Sequence, residues 1–202
     1  MDRDELIFRA RVGAVVAVWF GTFYAGADLW TRGATDLPSL QTPWDEMLPF
    51  WPGFAVLYLT VTPFLCLPLL VIPDRLGIKL LATTLMVLTA IGALIFVLFP
   101  VAGPIVPPGP HPASFRLADW INLDQNNLPS LHVALTLTTF LAMRPSLGRA
   151  QAPVAIWAAL VVLSTLVTRQ HDLASVAAGA ILAALGHWAI APVLRRVLQG
   201  RA

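Results

Sequence analysis

LLATTLMVLTAIGALIFVLF (residues 80–99) decides the fold, because these twenty consecutive residues contain no charged side chain. A helix needs about 17 to 25 largely apolar residues to cross a bilayer. The uncharged run continues to Phe115, and five further runs of the same kind lie elsewhere in the chain. Only 12% of the residues are charged, whereas soluble domains carry about 25%. The sequence therefore predicts an integral membrane protein.

The uncharged runs predict an all-α fold, a six-transmembrane-helix bundle that forms a single membrane domain over residues 1–202. Backbone polar groups cannot stay unpaired in lipid, and unbroken apolar runs fit helices, since barrel strands alternate in polarity. The predicted spans are 11–29, 53–72, 78–99, 129–143, 152–167 and 173–194. A cleaved signal segment is the alternative for the first run, but its length and aromatic residues favour a retained helix.

The basic residues predict the orientation of the bundle. Lysine and arginine are enriched in cytoplasmic loops. With the N-terminus inside, the cytoplasmic segments hold ten basic and four acidic residues, whereas the opposite side holds three basic and seven acidic ones. This asymmetry predicts that both termini are cytoplasmic and that the protein lies in the cell membrane. The basic residues are explained by topology, so nucleic acid is not predicted as a partner.

Polar residues concentrate at two places in the apolar second half of the chain. Asn-Leu-Pro-Ser-Leu-His (127–132) lies at the outer start of the fourth predicted span, and Thr-Arg-Gln-His (168–171) lies at the outer end of the fifth. The fourth span runs inward and the fifth runs outward, so the topology predicts His132 and His171 at the same membrane face. The alternative interpretation is a pair of interfacial histidines that cap helix ends.

These residue types suit phosphate chemistry. Proline followed by Ser130 at a helix start leaves backbone N–H groups free to bind an anion, and the helix dipole favours negative charge there. Arg169 offers a planar guanidinium for phosphate oxygens. Two imidazoles can divide phosphoryl transfer, one as nucleophile and one as general acid. No third histidine or carboxylate is clearly positioned with them, so neither a metal nor a cofactor is predicted.

Both motifs resemble those of one family. Pro-Ser-Leu-His at 129–132 resembles the Pro-Ser-x-His motif of the type 2 phosphatidic acid phosphatase superfamily. Residues 164–171 match the spacing of the last motif of that superfamily, Ser-Arg-x5-His-x3-Asp. The residues around both motifs are most similar to the branch containing sphingomyelin and inositol-phosphorylceramide synthases. The resemblance implies a six-span fold with a site that faces the periplasm or the extracellular side.

The resemblance also implies roles for individual residues. His171 would be the nucleophile that forms a phosphohistidine, and His132 would be the general acid for the leaving alcohol. Ser130 and Arg169 would hold phosphate oxygens. The implied reaction is hydrolysis of a lipid phosphate, or transfer of a phospho-headgroup to another alcohol. The implied partners are the bilayer and a lipid phosphate or phospholipid; the oligomeric state is not indicated.

Three positions depart from the family pattern. The family carboxylate four residues after the nucleophile is Ser175 here, which can orient the histidine only through a neutral hydrogen bond. Thr165 replaces the arginine of the Ser-Arg pair. Residues 99–108 contain none of the basic residues of the family's upstream motif, and Arg116 is the nearest cation available for phosphate.

These departures favour an alternative function, a catalytically impaired family member that binds or translocates a lipid phosphate. A serine hydrolase using Ser130 and His132 is a further alternative. It is disfavoured because residues two apart on a helix point to different sides.

Overall fold

The computed structural model describes residues 2–123 and 126–200, and over these residues the fold is all-helical apart from two isolated β-bridges. The helices are α1 (Arg3–Thr31), α2 (Pro43–Met47), α3 (Ala55–Leu59), α4 (Val61–Cys66), α5 (Pro68–Val71), α6 (Arg75–Leu98), α7 (Ala113–Ile121), α8 (Leu131–Met143), α9 (Gln151–Val167), α10 (Leu173–Leu185) and α11 (Ala191–Leu198). A π-helical segment, Gly186–Ile190, joins α10 to α11.

Within the described part of the chain, five helical stretches are long and apolar enough to cross a membrane. They are Arg3–Thr31, Pro52–Val71, Arg75–Leu98, Gly148–Val167 and Leu173–Leu198. Each overlaps one predicted span. The fourth predicted span, 129–143, corresponds to α8, whose 13 residues rise about 20 Å against a hydrocarbon core of about 30 Å. The structure therefore supports a multi-pass membrane protein with five candidate spans.

The second candidate span is broken into three short helices. Proline lacks a backbone N–H and its ring clashes with the preceding turn, so it interrupts a helix. Pro63 lies inside α4, and Pro68 begins α5. Thr60 separates α3 from α4, and its hydroxyl accepts a 2.8 Å hydrogen bond from Trp157 Nε1 of α9. The break at Thr60 thus coincides with a side-chain contact between this span and α9.

One end of the bundle, here called the basic end, is held by arginine. Arg9 of α1 is buried and donates hydrogen bonds to the carbonyl oxygens of Leu69 in α5 and of Ile72 and Pro73 just after it. Glu5 accepts from both Arg9 (2.6 Å) and Arg75 (2.7 Å). The starts of α1 and α6 therefore lie side by side, and α1 runs parallel to α6. Their parallel course agrees with the first and third spans crossing in the same direction.

The outer surface of the bundle is apolar. Large side chains of its long helices are exposed, among them Val18, Leu94, Ile156 and Ile181. Isolated exposed apolar residues are ordinary in soluble proteins, but a belt of them around a helical bundle suits contact with lipid. Exposed tryptophans lie in the connections at the other end, for example Trp44, and tryptophan is enriched at membrane–water interfaces.

Close contact between α8 and α10 depends on Gly179. Ser130 N donates to Ser175 O across the two helices at 3.0 Å. A Cβ atom added at Gly179 would lie 2.4 Å from the Ser130 carbonyl oxygen. Real Cβ atoms do not approach backbone oxygen so closely, so the helices must separate if this glycine is replaced.

We expect Gly179→Ala to destabilise the fold by about 1–3 kcal/mol, the usual cost of an overpacked core position. Thermal unfolding in detergent measures the effect. Gly26→Ala is the matched control, because a Cβ added at Gly26 of α1 meets no atom within 4 Å. Equal unfolding midpoints for the two variants would contradict the close packing of α8 on α10.

Candidate active site

His132 and His171 lie against each other at the end of the bundle opposite the basic end. His132 is in the first turn of α8, and His171 is in the turn between α9 and α10. Nδ1 of His132 is 3.5 Å from Nε2 of His171, and the ring centroids are 5.6 Å apart. The two imidazoles are therefore in contact. This agrees with the opposite directions of α8 and α9, which bring both histidines to the same end of the bundle.

The turn that carries His171 is fixed by its own backbone. The N–H groups of Gln170 and His171 both donate to Thr165 O at 3.0 Å. Arg169 adopts a left-handed conformation with φ of 56°, which is uncommon outside glycine. Asp172 then caps α10, because its Oδ1 accepts from Ser175 N at 2.7 Å. These contacts leave His171 little freedom to move.

Asn127 holds the far side of the His171 ring. Its Oδ1 lies 2.9 Å from His171 Nδ1, and its Nδ2 donates to Asp172 Oδ2 at 3.0 Å. An amide oxygen can only accept, so His171 Nδ1 carries the proton and Nε2 presents its lone pair to His132. Burial lowers the pKa of His171 to about 4. The ring is therefore neutral at neutral pH, the state in which Nε2 is nucleophilic.

His132 is positioned by a tyrosine. Its Nδ1 lies 3.3 Å from the hydroxyl of Tyr58, whose ring packs against the imidazole at a tilt of 36° with centroids 4.4 Å apart. The Tyr58 hydroxyl in turn donates to Asn122 Oδ1 at 3.1 Å, and Asn122 Nδ2 donates to Gln170 O at 3.2 Å. This chain of hydrogen bonds connects α3, the end of α7 and the turn that carries His171.

The two predicted serines have different surroundings. Ser130 is the N-cap of α8, and its Oγ accepts from Val133 N at 3.3 Å. The side chain is fully buried, and its capping hydrogen bond stabilises the start of the helix that carries His132. The Oγ of Ser175 is also buried, and among the described residues it has no hydrogen-bond partner. The atom that contacts His171 Nδ1 belongs to Asn127.

The two predicted arginines are engaged by the backbone. The guanidinium of Arg169 donates to the carbonyl oxygens of Asp45, Glu46 and Leu48, so it holds the C-terminal end of α2. Its Nε is buried and unpaired within residues 2–123 and 126–200. Arg116 is exposed on α7 and donates to His111 O at 2.6 Å. No contact described for Arg116 joins it to either histidine.

A polar cavity of about 250 Å³ opens beside this site. It is lined by Gly103, Pro104, Val106, Asp119, Asn122, Leu123, Asn127, Arg169 and Gln170. The side-chain amide of Gln170 is buried, and neither of its polar atoms has a partner in the described part of the chain. Over the same residues, no group of three or more histidine, cysteine or acidic side chains is arranged to hold a metal ion.

The paired histidines occur within a recognised family region. A family model described as the PAP2 superfamily matches residues 49–189, which is more than half of the chain and contains both histidines. The chain belongs to the PAP2 superfamily. Members of the PAP2 superfamily are typically phosphatases or phosphotransferases, so membership indicates a phosphatase-type function. No curated protein and no solved structure matches the chain.

Sequence reasoning missed three residues around the histidines of this PAP2 protein. Tyr58 is 74 positions from His132, and nothing near it in the sequence signals their contact. Asn122 and Asn127 belong to a visibly polar run, but their partners lie in other elements. A polar aromatic residue inside an apolar span was the one available signal for Tyr58.

Proposed function

We propose that this protein is a membrane lipid phosphatase or phospho-headgroup transferase that acts through a phosphohistidine on His171 at the outer membrane face. The observation that carries the proposal is the approach of His171 Nε2 to His132 Nδ1 at 3.5 Å. Family membership supports the phosphatase-type chemistry. The hydrogen bond from His171 Nδ1 to Asn127 supports the choice of Nε2 as nucleophile.

The proposed reaction has two steps. The Nε2 lone pair of His171 attacks phosphorus, the bond from phosphorus to the ester oxygen breaks, and protonated His132 gives its proton to that oxygen. Water or a second alcohol then attacks the phosphohistidine, and His132 accepts the proton of the attacking hydroxyl group. The phosphoryl group moves to the incoming oxygen, and His171 is regenerated. The rings are in contact without substrate, so we expect His132 to rotate away when a phosphoryl group enters.

Phosphate oxygens would be bound at the start of α8. The N-terminus of a helix attracts anions through its free N–H groups and its dipole. Ser130 caps this helix, and Arg169 lines the polar cavity beside it. Because the Arg169 guanidinium is held by the C-terminal end of α2, we propose that it acts on phosphate mainly through its charge. Arg116 would contribute only after leaving the carbonyl of His111.

An apolar groove supports a lipid as the substrate. The groove has a volume of about 270 Å³ and reaches from His132 and Tyr58 at one end to Gly13 and Ile78 towards the basic end. Its walls are formed by residues of α1 and of α3 to α8. A phosphate bound at the histidines would place an attached acyl chain at the mouth of this groove. Soluble phosphate esters have no group that would occupy it.

The proposed outer location of the site follows from the ends of the bundle. Arg9 and Arg75 mark the basic end, and Arg195 and Arg196 of α11 lie beside Asp74 in a cavity there. By the positive-inside rule, these basic residues support a cytoplasmic location for this end. The histidines at the opposite end would then face outward, with α8 completing a six-span bundle whose termini are both cytoplasmic.

Phosphate release from a panel of substrates tests the proposal. The purified protein is given lipid phosphates with one or two acyl chains and, in parallel, soluble glycerol phosphate. We expect release from the lipids and little from the soluble ester. Without release, headgroup transfer from a phospholipid to a diacylglycerol or ceramide acceptor is measured next. Inactivity in both assays would exclude an enzymatic function and leave binding or translocation of a lipid phosphate.

Filling the groove should alter the preference for chain length. Ala17 of α1 is exposed and lines the groove, so Ala17→Trp would obstruct the path of an acyl chain. We expect about a tenfold loss of kcat/KM for long-chain lipid phosphates, the effect of a few methylene contacts, with short-chain esters unaffected. Ala14→Trp is the control, because Ala14 is exposed on the same helix outside the groove. Equal losses for all chain lengths would count against the groove as the acyl site.

A second candidate function is binding or translocation of a lipid phosphate without turnover. Ser175 at the position of the family carboxylate favours it, as does the absence of basic residues from 99–108. Such a protein would bind a labelled lipid phosphate and release it unchanged. Binding that is saturable and independent of His171, together with absent turnover, would support this candidate.

A further inference from the structure

We infer that Asp172 and Asn127 are the positioning residues of His171, with the Asn127 amide linking the Asp172 carboxylate to the imidazole. The inference rests on the proposed function. It assigns the orienting role of the family carboxylate, whose position is Ser175 here, to Asp172. Asp172 directly follows His171 in the chain, and Asn127 connects its carboxylate to the His171 ring by hydrogen bonds. Two hydrogen bonds, of 3.0 and 2.9 Å, connect the three side chains.

The carboxylate decides which way the amide faces. An ionised carboxylate can only accept hydrogen bonds, so Asn127 must turn Nδ2 towards Asp172 and Oδ1 towards His171. Asn127 Nδ2 also donates to Ala102 O at 3.2 Å, which holds the same orientation. Because His171 Nδ1 faces Asn127 Oδ1, which can only accept, Nδ1 must carry the proton of this hydrogen bond. The Asp172 charge therefore sets the tautomer that leaves Nε2 unprotonated.

The burial of this group favours a role beyond structure. Asn127, His171 and Asp172 are each no more than 3% exposed. No ion pair is described for Asp172 anywhere in residues 2–123 and 126–200, so its partners are the Asn127 amide and the N–H of Ser175. A buried carboxylate without a cation is costly. Its charge would be compensated when His171 becomes positively charged during phosphoryl transfer.

Capping α10 does not by itself account for Asp172. Its Oδ1 accepts from Ser175 N at 2.7 Å, and this is the whole capping contact. Its other oxygen, Oδ2, is directed at Asn127. A neutral serine or asparagine caps a helix about as well as an aspartate does. The contact with Asn127 is thus what distinguishes aspartate from a neutral cap at this position.

Exchanging the two side chains tests the inference. In Asp172→Asn the cap is retained, but a second amide donor faces Asn127 and favours its reversal. We expect His171 to shift to the tautomer protonated on Nε2, and turnover to fall on the order of 10² to 10⁴-fold, as when other orienting carboxylates are neutralised. The double variant Asn127→Asp/Asp172→Asn restores one carboxylate and one amide in the same contact, with the carboxylate now against His171.

The double variant should recover the tautomer protonated on Nδ1 and turnover within about tenfold of the wild type. ¹⁵N NMR of labelled histidine reports the tautomer directly, without substrate. An inactive wild type with the expected tautomer shift in Asp172→Asn would therefore reject the proposed function and retain this inference. An unchanged His171 tautomer in Asp172→Asn would overturn it, as would failure of the folded double variant to recover the wild-type tautomer. If either exchange variant fails to fold, Asn127→Ala decides: mixed tautomers support the inference, and the wild-type tautomer overturns it.

Discussion

His171→Ala is expected to abolish phosphate release, with a loss on the order of 10⁴-fold or more, because removing a covalent nucleophile leaves only the binding contribution to catalysis. The reasoning depends on the position of Nε2, which faces His132, while Nδ1 is occupied by Asn127. Initial rates with a lipid phosphate measure the loss. Acid-labile, alkali-stable labelling of the wild type by a ³²P-labelled substrate would identify the phosphohistidine.

His187→Ala is the matched control for this loss. His187 lies in the π-helical segment beside the cavity at the basic end, far along the bundle from the paired histidines. We expect it to retain wild-type turnover and to take up the ³²P label. Measurable turnover by folded His171→Ala, or labelling that persists in it, would contradict the nucleophilic role.

His132→Ala should give a loss that depends on the leaving group. General acid catalysis contributes about 10² to 10⁴-fold, and the contribution falls as the leaving group becomes a weaker base. An alkyl phosphate needs its oxygen protonated, whereas nitrophenolate departs without a proton. We therefore expect the rate of leaving-group release in the first turnover, which precedes the general-base step, to fall on the order of 10³-fold in His132→Ala on a lipid phosphate and much less on nitrophenyl phosphate.

The comparison of two substrates separates the roles of the histidines. His171→Ala should be inactive on both, because the nucleophile is needed whatever the leaving group. Comparable losses of this first-turnover rate on both substrates in His132→Ala would exclude a general acid and would instead indicate that His132 supports the shape of the site. Its packing against Tyr58 provides a structural basis for that outcome.

The helices could be predicted because charged residues are costly to bury in lipid, so they mark the ends of the apolar runs. Residues 78–99 were predicted, and α6 occupies Arg75–Leu98. The start of α1 was predicted at residue 11 because charged residues precede it, yet the helix begins at Arg3. Arg9 lies inside the helix because its guanidinium is satisfied by three backbone carbonyls. Those acceptors come from residues 60 to 64 positions away, which sequence cannot show.

The histidine pair was accessible to topology, whereas its supports were not. His132 and His171 follow from the ends of two consecutive helices. Neighbouring residues on a continuous helix point to different sides, so the position of Asp172 next to His171 does not by itself signal a contact. Asp172 is the N-cap of α10, with extended backbone (ψ 169°), so the helical geometry does not apply. Tyr58 and the acceptors of Arg169 are contacts across the fold, whose partners are set by helix packing.

The way Arg169 holds the C-terminal end of α2 bears on how this protein can diverge. The hydrogen bonds described for Arg169 go to main-chain oxygens, at Asp45, Glu46 and Leu48, and every residue type supplies such an oxygen. The side chains of Trp44, Glu46 and Met47 are exposed. These exposed positions of α2 can therefore change over evolution while the geometry around the histidines stays the same.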